Sequence, residues 1–91
     1  MDKNELLERI SVNPKVMVGK PVIRGTRLTV HFILGLLAQG ATVDMILREY
    51  EELTREDIFA CLEFAKEALE NAYGFWSDRT DLPDFSALRR E

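Results

Sequence analysis

The sequence predicts a mainly α domain, a three-helix helix-turn-helix core with an N-terminal β-hairpin. Three observations carry this expectation. From Thr29 to Ala72, apolar residues recur at three- and four-residue spacing in three runs separated by helix stops and caps. From Ile10 to Thr29, β-branched residues are punctuated by turn signals. Finally, 91 residues with 46% apolar, 31% charged and 9% aromatic content suit one small domain with a single core.

In chain order, residues 2–9 show a short helical pattern, with Leu6, Leu7 and Ile10 on one side and Asp2 or Asn4 as caps. Ile10, Val12, Val16, Val18, Val22 and Ile23 then alternate with Asn13-Pro14, Gly19-Lys20-Pro21 and Arg24-Gly25-Thr26-Arg27, which predicts short strands and turns. The last of these turns is a hairpin with Gly25 at positive φ, Pro21 opening an edge strand, and Val22, Ile23 and Leu28 packing down. Thr29 caps a helix of about ten residues that buries Val30, Ile33, Leu34 and Leu37 and stops at Gly40. Thr42 caps a second, shorter helix with Val43, Ile46, Leu47 and Tyr50 inward. Thr54 and Asp57 form a Thr-x-x-Asp capping pattern for a third helix, whose inner stripe is read as Ile58, Cys61, Leu62, Ala65 and Leu69. Glu63, Glu67, Lys66 and Glu70 are assigned to its solvated face. The domain is therefore expected to span 1–73, with 74–91 as a C-terminal tail.

The net charge of −4 is unevenly spread: residues 1–40 carry +3 and residues 41–91 carry −7. No acid occurs between Arg9 and Val43, and that window holds Arg9, Lys15, Lys20, Arg24 and Arg27, so contact with a polyanion is expected there. One cysteine, Cys61, and one histidine, His31, exclude a disulfide framework and a Cys/His zinc site within one chain. The same scarcity argues against nucleophilic catalysis, and the five glycines form neither a P-loop nor a dinucleotide fingerprint. Neither an enzyme nor a cofactor or small-molecule substrate is expected. The longest apolar run, Phe32 to Ala38, is too short to cross a bilayer, and the first five residues lack the order of a signal peptide, so a cytoplasmic, complete prokaryote-style protein is the expectation.

The helices from Thr42 to Ala72, joined by Tyr50-Glu51-Glu52-Leu53, have helix-turn-helix spacing, with Ile46, Leu47, Leu53, Ile58 and Leu62 holding the two axes together. Charge opposes groove reading by the second of them. Arg55 is followed by Glu56 and Asp57 and preceded by Glu51 and Glu52, whereas phosphate contact needs the opposite sign. Arg24 and Arg27 read either as solvated or ion-paired groups flanking a hairpin turn or as part of a cationic β-wing; if nucleic acid is bound, the wing carrying Lys20, Arg24 and Arg27 is the better surface, with Arg55 as a further contact.

The run Gly19-Lys20-Pro21-Val22-Ile23-Arg24-Gly25-Thr26-Arg27, then an apolar helix, Gly40-x-Thr42 and Tyr50-x-x-Leu53-Thr54-x-x-Asp57-Ile58, closely resembles a small prokaryotic family catalogued as domain of unknown function four-three-three. The resemblance covers about Ile10 to Ala68. It implies a homeodomain-type helix-turn-helix protein and a regulatory role: relatives are regarded as antitoxins of toxin–antitoxin pairs, often beside a toxin resembling a PIN-domain ribonuclease. It carries over no catalytic residues. The favoured reading is an antitoxin that neutralises such a toxin and represses its own operon as a homodimer. A stand-alone DNA-binding regulator and a structural dimerisation module are the alternatives. The dimer is expected because a core this small gains from further burial, and strand pairing at Ile10–Val12 or Val16–Val18 is the expected geometry. In the tail, Phe75, Trp76, Leu82, Phe85 and Leu88 stand between polar residues and Pro83, as anchors for a partner or as cover for the domain's own core.

Overall fold

A computed structural model describes residues 2–13, 15 and 19–72. Its elements run α1 (Lys3–Leu7), β1 (Ile10–Ser11), β2 (Val22–Ile23), α2 (Val30–Ala38), α3 (Val43–Glu49) and α4 (Arg55–Ala72). The fold is mainly α, with α2, α3 and α4 as its core, as the periodicity predicts. The short N-terminal helix packs on α4 as a fourth.

Each helix start is built by the side chain that the sequence places there. Asp2 accepts from the Glu5 amide at 2.9 Å, and the Glu5 carboxylate accepts from the Asp2 amide at 3.2 Å. Thr29 caps α2 through the Phe32 amide at 2.9 Å, and Thr42 caps α3 through the Met45 amide at 3.1 Å. At the end of α2, Gly40 takes φ +102°, which lets its amide reach the Leu37 carbonyl and the Ala41 amide reach that of Leu36, both at 3.0 Å. That pair of bonds is a Schellman stop, and it aims the chain directly into the Thr42 cap.

The sheet differs in detail from the expected hairpin. The Gly25 turn forms as predicted: Gly25 has φ +84°, the Thr26 amide reaches the Ile23 carbonyl at 2.9 Å, the Ile23 amide reaches that of Leu28 at 2.9 Å, and Val22 bridges Thr29. The regular pairing of β2 is nevertheless with β1, antiparallel, with Ile10 opposite Ile23 and Ser11 opposite Val22. Ile10–Ser11 therefore has its strand partner within the chain, and Val16 and Val18 lie outside the described residues. β2 is the middle segment of the three, which explains why both of its residues are buried.

The core takes one isoleucine from each layer: Ile23 of β2, Ile33 of α2, Ile46 of α3 and Ile58 of α4, with Cys61 beside them. The inner stripe of α4 differs from the expected one. Asp57, Ile58, Ala60 and Cys61 are buried, whereas Leu62 and Leu69 are exposed. The first half of α4 is covered on two flanks, so its buried arc is wide and centred away from Leu62.

Glu63 and Glu67, expected on a solvated face, are half-buried. Glu67 pairs with Lys3 at 3.1 Å, and Lys66 reaches Glu63 at 3.3 Å and Glu70 at 3.8 Å. The hydrogen bond and charge of Lys3 hold the Glu67 carboxyl below its ordinary range, and Glu67 raises Lys3 in return. The depressed carboxyl stabilises the folded chain above its ordinary value of about 4.3 and is lost as pH falls through its folded value. The raised lysine contributes below its ordinary value of about 10.4 and is lost as pH rises through its folded one. Protection of the α1 amides against hydrogen exchange, measured relative to their intrinsic rates at each pH, is expected to be greatest between these limits and to fall outside them. In Lys3→Ala that dependence disappears.

Candidate functional site

The residues singled out as nucleic-acid contacts fall on two parts of the fold, the loops around β2 and the first turn of α4. Lys20, Arg24 and Arg27 are exposed on the loops that flank β2. Arg24 is partly engaged, since its Nε donates to the Glu8 carbonyl at 2.8 Å and its amide to the Arg9 carbonyl at 2.7 Å. Together with Arg9, Glu5, Glu8 and Asp57 it lines an open depression of about 630 Å³, so the two guanidinium groups share that space with three carboxylates. Lys20 lines a different depression of about 370 Å³ with Pro21, Thr29 and His31, without an acid among the described residues. Among the described residues, Lys20 thus stands apart from the carboxylates that surround Arg24.

Arg55 stands in the first turn of α4, where a helix-turn-helix protein would meet a groove. Its guanidinium pairs with Asp44 of α3, and Glu56 and Asp57 share its turn. Exposed acids continue around this edge at Glu49, Glu51 and Glu52. An incoming phosphate would meet a cation already neutralised.

Asp57 is the group whose place the sequence only half discloses. Its carboxylate completes the α4 capping box, accepting from the Thr54 amide at 3.0 Å while the Thr54 hydroxyl accepts from the Asp57 amide at 3.2 Å. The other oxygen accepts from Nη1 of Arg9 at 3.0 Å, 48 positions away. The Thr-x-x-Asp spacing signals the cap; nothing local signals Arg9.

Cys61 is fully buried, and burial, aided by the Asp57 charge, pushes its thiol up to about 12. It therefore stays protonated at neutral pH and does not act as a nucleophile. Among the described residues, no group of three His, Cys, Asp or Glu side chains could hold a metal ion, and no helix is long and apolar enough to cross a membrane.

Exposed apolar side chains are the more informative feature. Val12, Phe32, Met45, Phe59, Leu62 and Leu69 are all more than one-third exposed, and Phe32 is steadied edge-on by Tyr50 at 5.8 Å. The sequence reading placed Leu62 and Leu69 in the core and passed over Phe59. Phe75, Trp76, Leu82, Phe85 and Leu88, the expected partner anchors, lie outside the described residues.

Fold and surface together define a small helix-turn-helix domain with a two-stranded sheet. The chain belongs to the DUF433 family: a family model described as protein of unknown function (DUF433) matches residues 10–65. Among solved structures, a DUF433 member protein from Anabaena variabilis is similar to it, with 28% identity, a TM-score of 0.66, and coverage of 81% of this chain and 73% of that one. No curated protein matches the chain.

Proposed function

We propose that this chain is a non-catalytic binding protein, the antitoxin half of a toxin–antitoxin pair, which neutralises a ribonuclease of the PIN-domain kind. The observation that carries the reading is a pair of exposed apolar side chains beside exposed acids: Met45 stands on α3 with Asp44 and Glu49, and Phe32 packs edge-on against Tyr50, which Glu51 and Glu52 follow. A nuclease presents cationic groups to its RNA, and an acidic surface with aromatic anchors is complementary to such a face. The tail extends the same chemistry, with Phe75, Trp76, Leu82, Phe85 and Leu88 among Asp78, Asp81 and Asp84. Aromatic anchors set among polar residues carry most of the energy in such interfaces.

Repression of its own operon belongs to the same reading. Lys20 and Arg27, with Arg24, supply the phosphate contacts, and Arg55 contributes little because Asp44 holds it.

The test is to look for an adjacent reading frame that overlaps this one and to co-express its product with this chain. The complex is expected to co-purify and to suppress cleavage of a single-stranded RNA. A chain truncated after Tyr73 is expected to keep its melting temperature and to lose inhibition by about 100-fold. A sharp fall in melting temperature on truncation would instead make the tail part of the domain's own core. An adjacent protein that neither binds nor cleaves RNA would overturn the antitoxin reading.

A further inference from the structure

Half of the large apolar residues exposed among the described ones lie on one helix, and they share one stripe of it. Phe59 (43% exposed), Leu62 (45%) and Leu69 (60%) stand with Lys66 at spacings of three, four and three, the a/d rhythm of a helix seam. None belongs to the domain's core cluster. Leu69 also borders a mostly apolar groove of about 420 Å³, lined further by Pro21, Val30, His31, Leu34, Phe64, Ala65 and Ala68.

We propose that two copies of this chain pair through this stripe, with the two α4 helices antiparallel. The occupant is argued from the stripe itself, independently of any toxin. Its two ends offer different surfaces: the exposed Phe59 at one, and at the other Leu69 and the groove that Ala68 helps to line. A two-fold axis between Leu62 and Lys66 sets the partner's Phe59 against Leu69 at the mouth of that groove, and does so twice. The same axis lays the Lys66 stem along Leu62 of the partner subunit. The Lys66 ammonium, within 3.3 Å of Glu63 and 3.8 Å of Glu70, stays balanced at the rim. A parallel pairing would instead set Lys66 on the partner's Lys66, and like charges at a seam position repel. The surface is therefore one that a second copy satisfies in one orientation. This places the dimer on α4, away from the strands.

Light scattering of the full chain at tens of micromolar is expected to give twice the 10.5 kDa chain mass. Leu62→Glu is expected to raise the dimer dissociation constant by at least about 100-fold while leaving the far-ultraviolet dichroism unchanged, because Leu62 is outside the core. As a second measurement, Phe59→Cys and Leu69→Cys chains, mixed and oxidised with buried Cys61 left in place, are expected to form the mixed disulfide in preference to either same-site one. A monomeric full chain overturns the proposal. So does a monomer that dimerises only after truncation beyond Tyr73, since the stripe would then be covered by the chain's own tail. Leu62→Glu dimerising as tightly as the parent, or same-site disulfides predominating, overturns it as well.

Discussion

Ile58→Ala is expected to cost about 3 kcal/mol of folding stability, within the range of roughly 2–5 kcal/mol for deleting a buried isoleucine side chain to its Cβ. The site allows little relief. Ile58 is fully buried and belongs to one cluster with Ile33 of α2, Ile46 of α3 and Leu53, which come from three separate stretches of backbone. A cavity there cannot close without moving a helix. For a domain of this size the melting temperature should fall by roughly 15 °C, and Ile58→Val, which removes one methylene, by about a third of that. Leu62→Ala, only four residues along the same helix, is expected to change monomer stability by less than about 0.5 kcal/mol. Thermal melts of the three variants under conditions where the chain is monomeric provide the check. Equal losses for Ile58→Ala and Leu62→Ala would contradict the packing of α4 described here.

That contrast marks how far the sequence could be read. Caps are local, because Thr29, Thr42 and Thr54 each bond an amide three residues ahead, so the three core helices and their starts were legible from spacing alone. The Gly25 and Gly40 turns were legible for the same reason. The inward face of α4 was not, because its apolar residues surround more than one side: Ile58 and Cys61 define one stripe, and Phe59, Leu62 and Leu69 define another. Periodicity merges two stripes when both are apolar, and only the position of α2 and α3 decides which one is covered. Ala60, fully buried yet carrying almost no hydrophobic signal, shows the same limit. In the candidate site, the neutralisation of Arg55 was foreseen from its neighbours in sequence, but the actual partner is Asp44, eleven positions earlier on α3. The carboxylates around Arg24 were invisible because Glu5 and Glu8 come from α1 and the turn that follows it, beyond the acid-free window. Strand pairing across the Ser11-to-Val22 excursion is likewise a long-range choice that two-residue strands leave unmarked.

Asp57→Ala is expected to cost about 2 kcal/mol, roughly half from the capping box and half from the pairing with Arg9. The cap loses the acceptor for the Thr54 amide, one of the donors at the start of α4 that has no carbonyl partner within the helix. Arg9, whose side chain is 34% exposed, loses its carboxylate partner but keeps access to water, so its share stays well below that of a fully buried ion pair. Asp57→Asn separates the two contributions. Its amide oxygen can still accept from the Thr54 amide, while the charge that Arg9 meets is gone, so a loss of about 1 kcal/mol is expected. A double-mutant cycle with Arg9→Ala should give a coupling of about 1 kcal/mol. The consequence reaches beyond stability, because Asp57 is where the start of α4 is tied to the junction of α1 and β1. Its removal is expected to speed hydrogen exchange at Ile10 and Ile23 as well as at the first turn of α4. Faster exchange confined to α4, with no coupling to Arg9, would mean that Asp57 is a cap alone and that the N-terminal segment is held by β1 pairing and the Lys3–Glu67 contact.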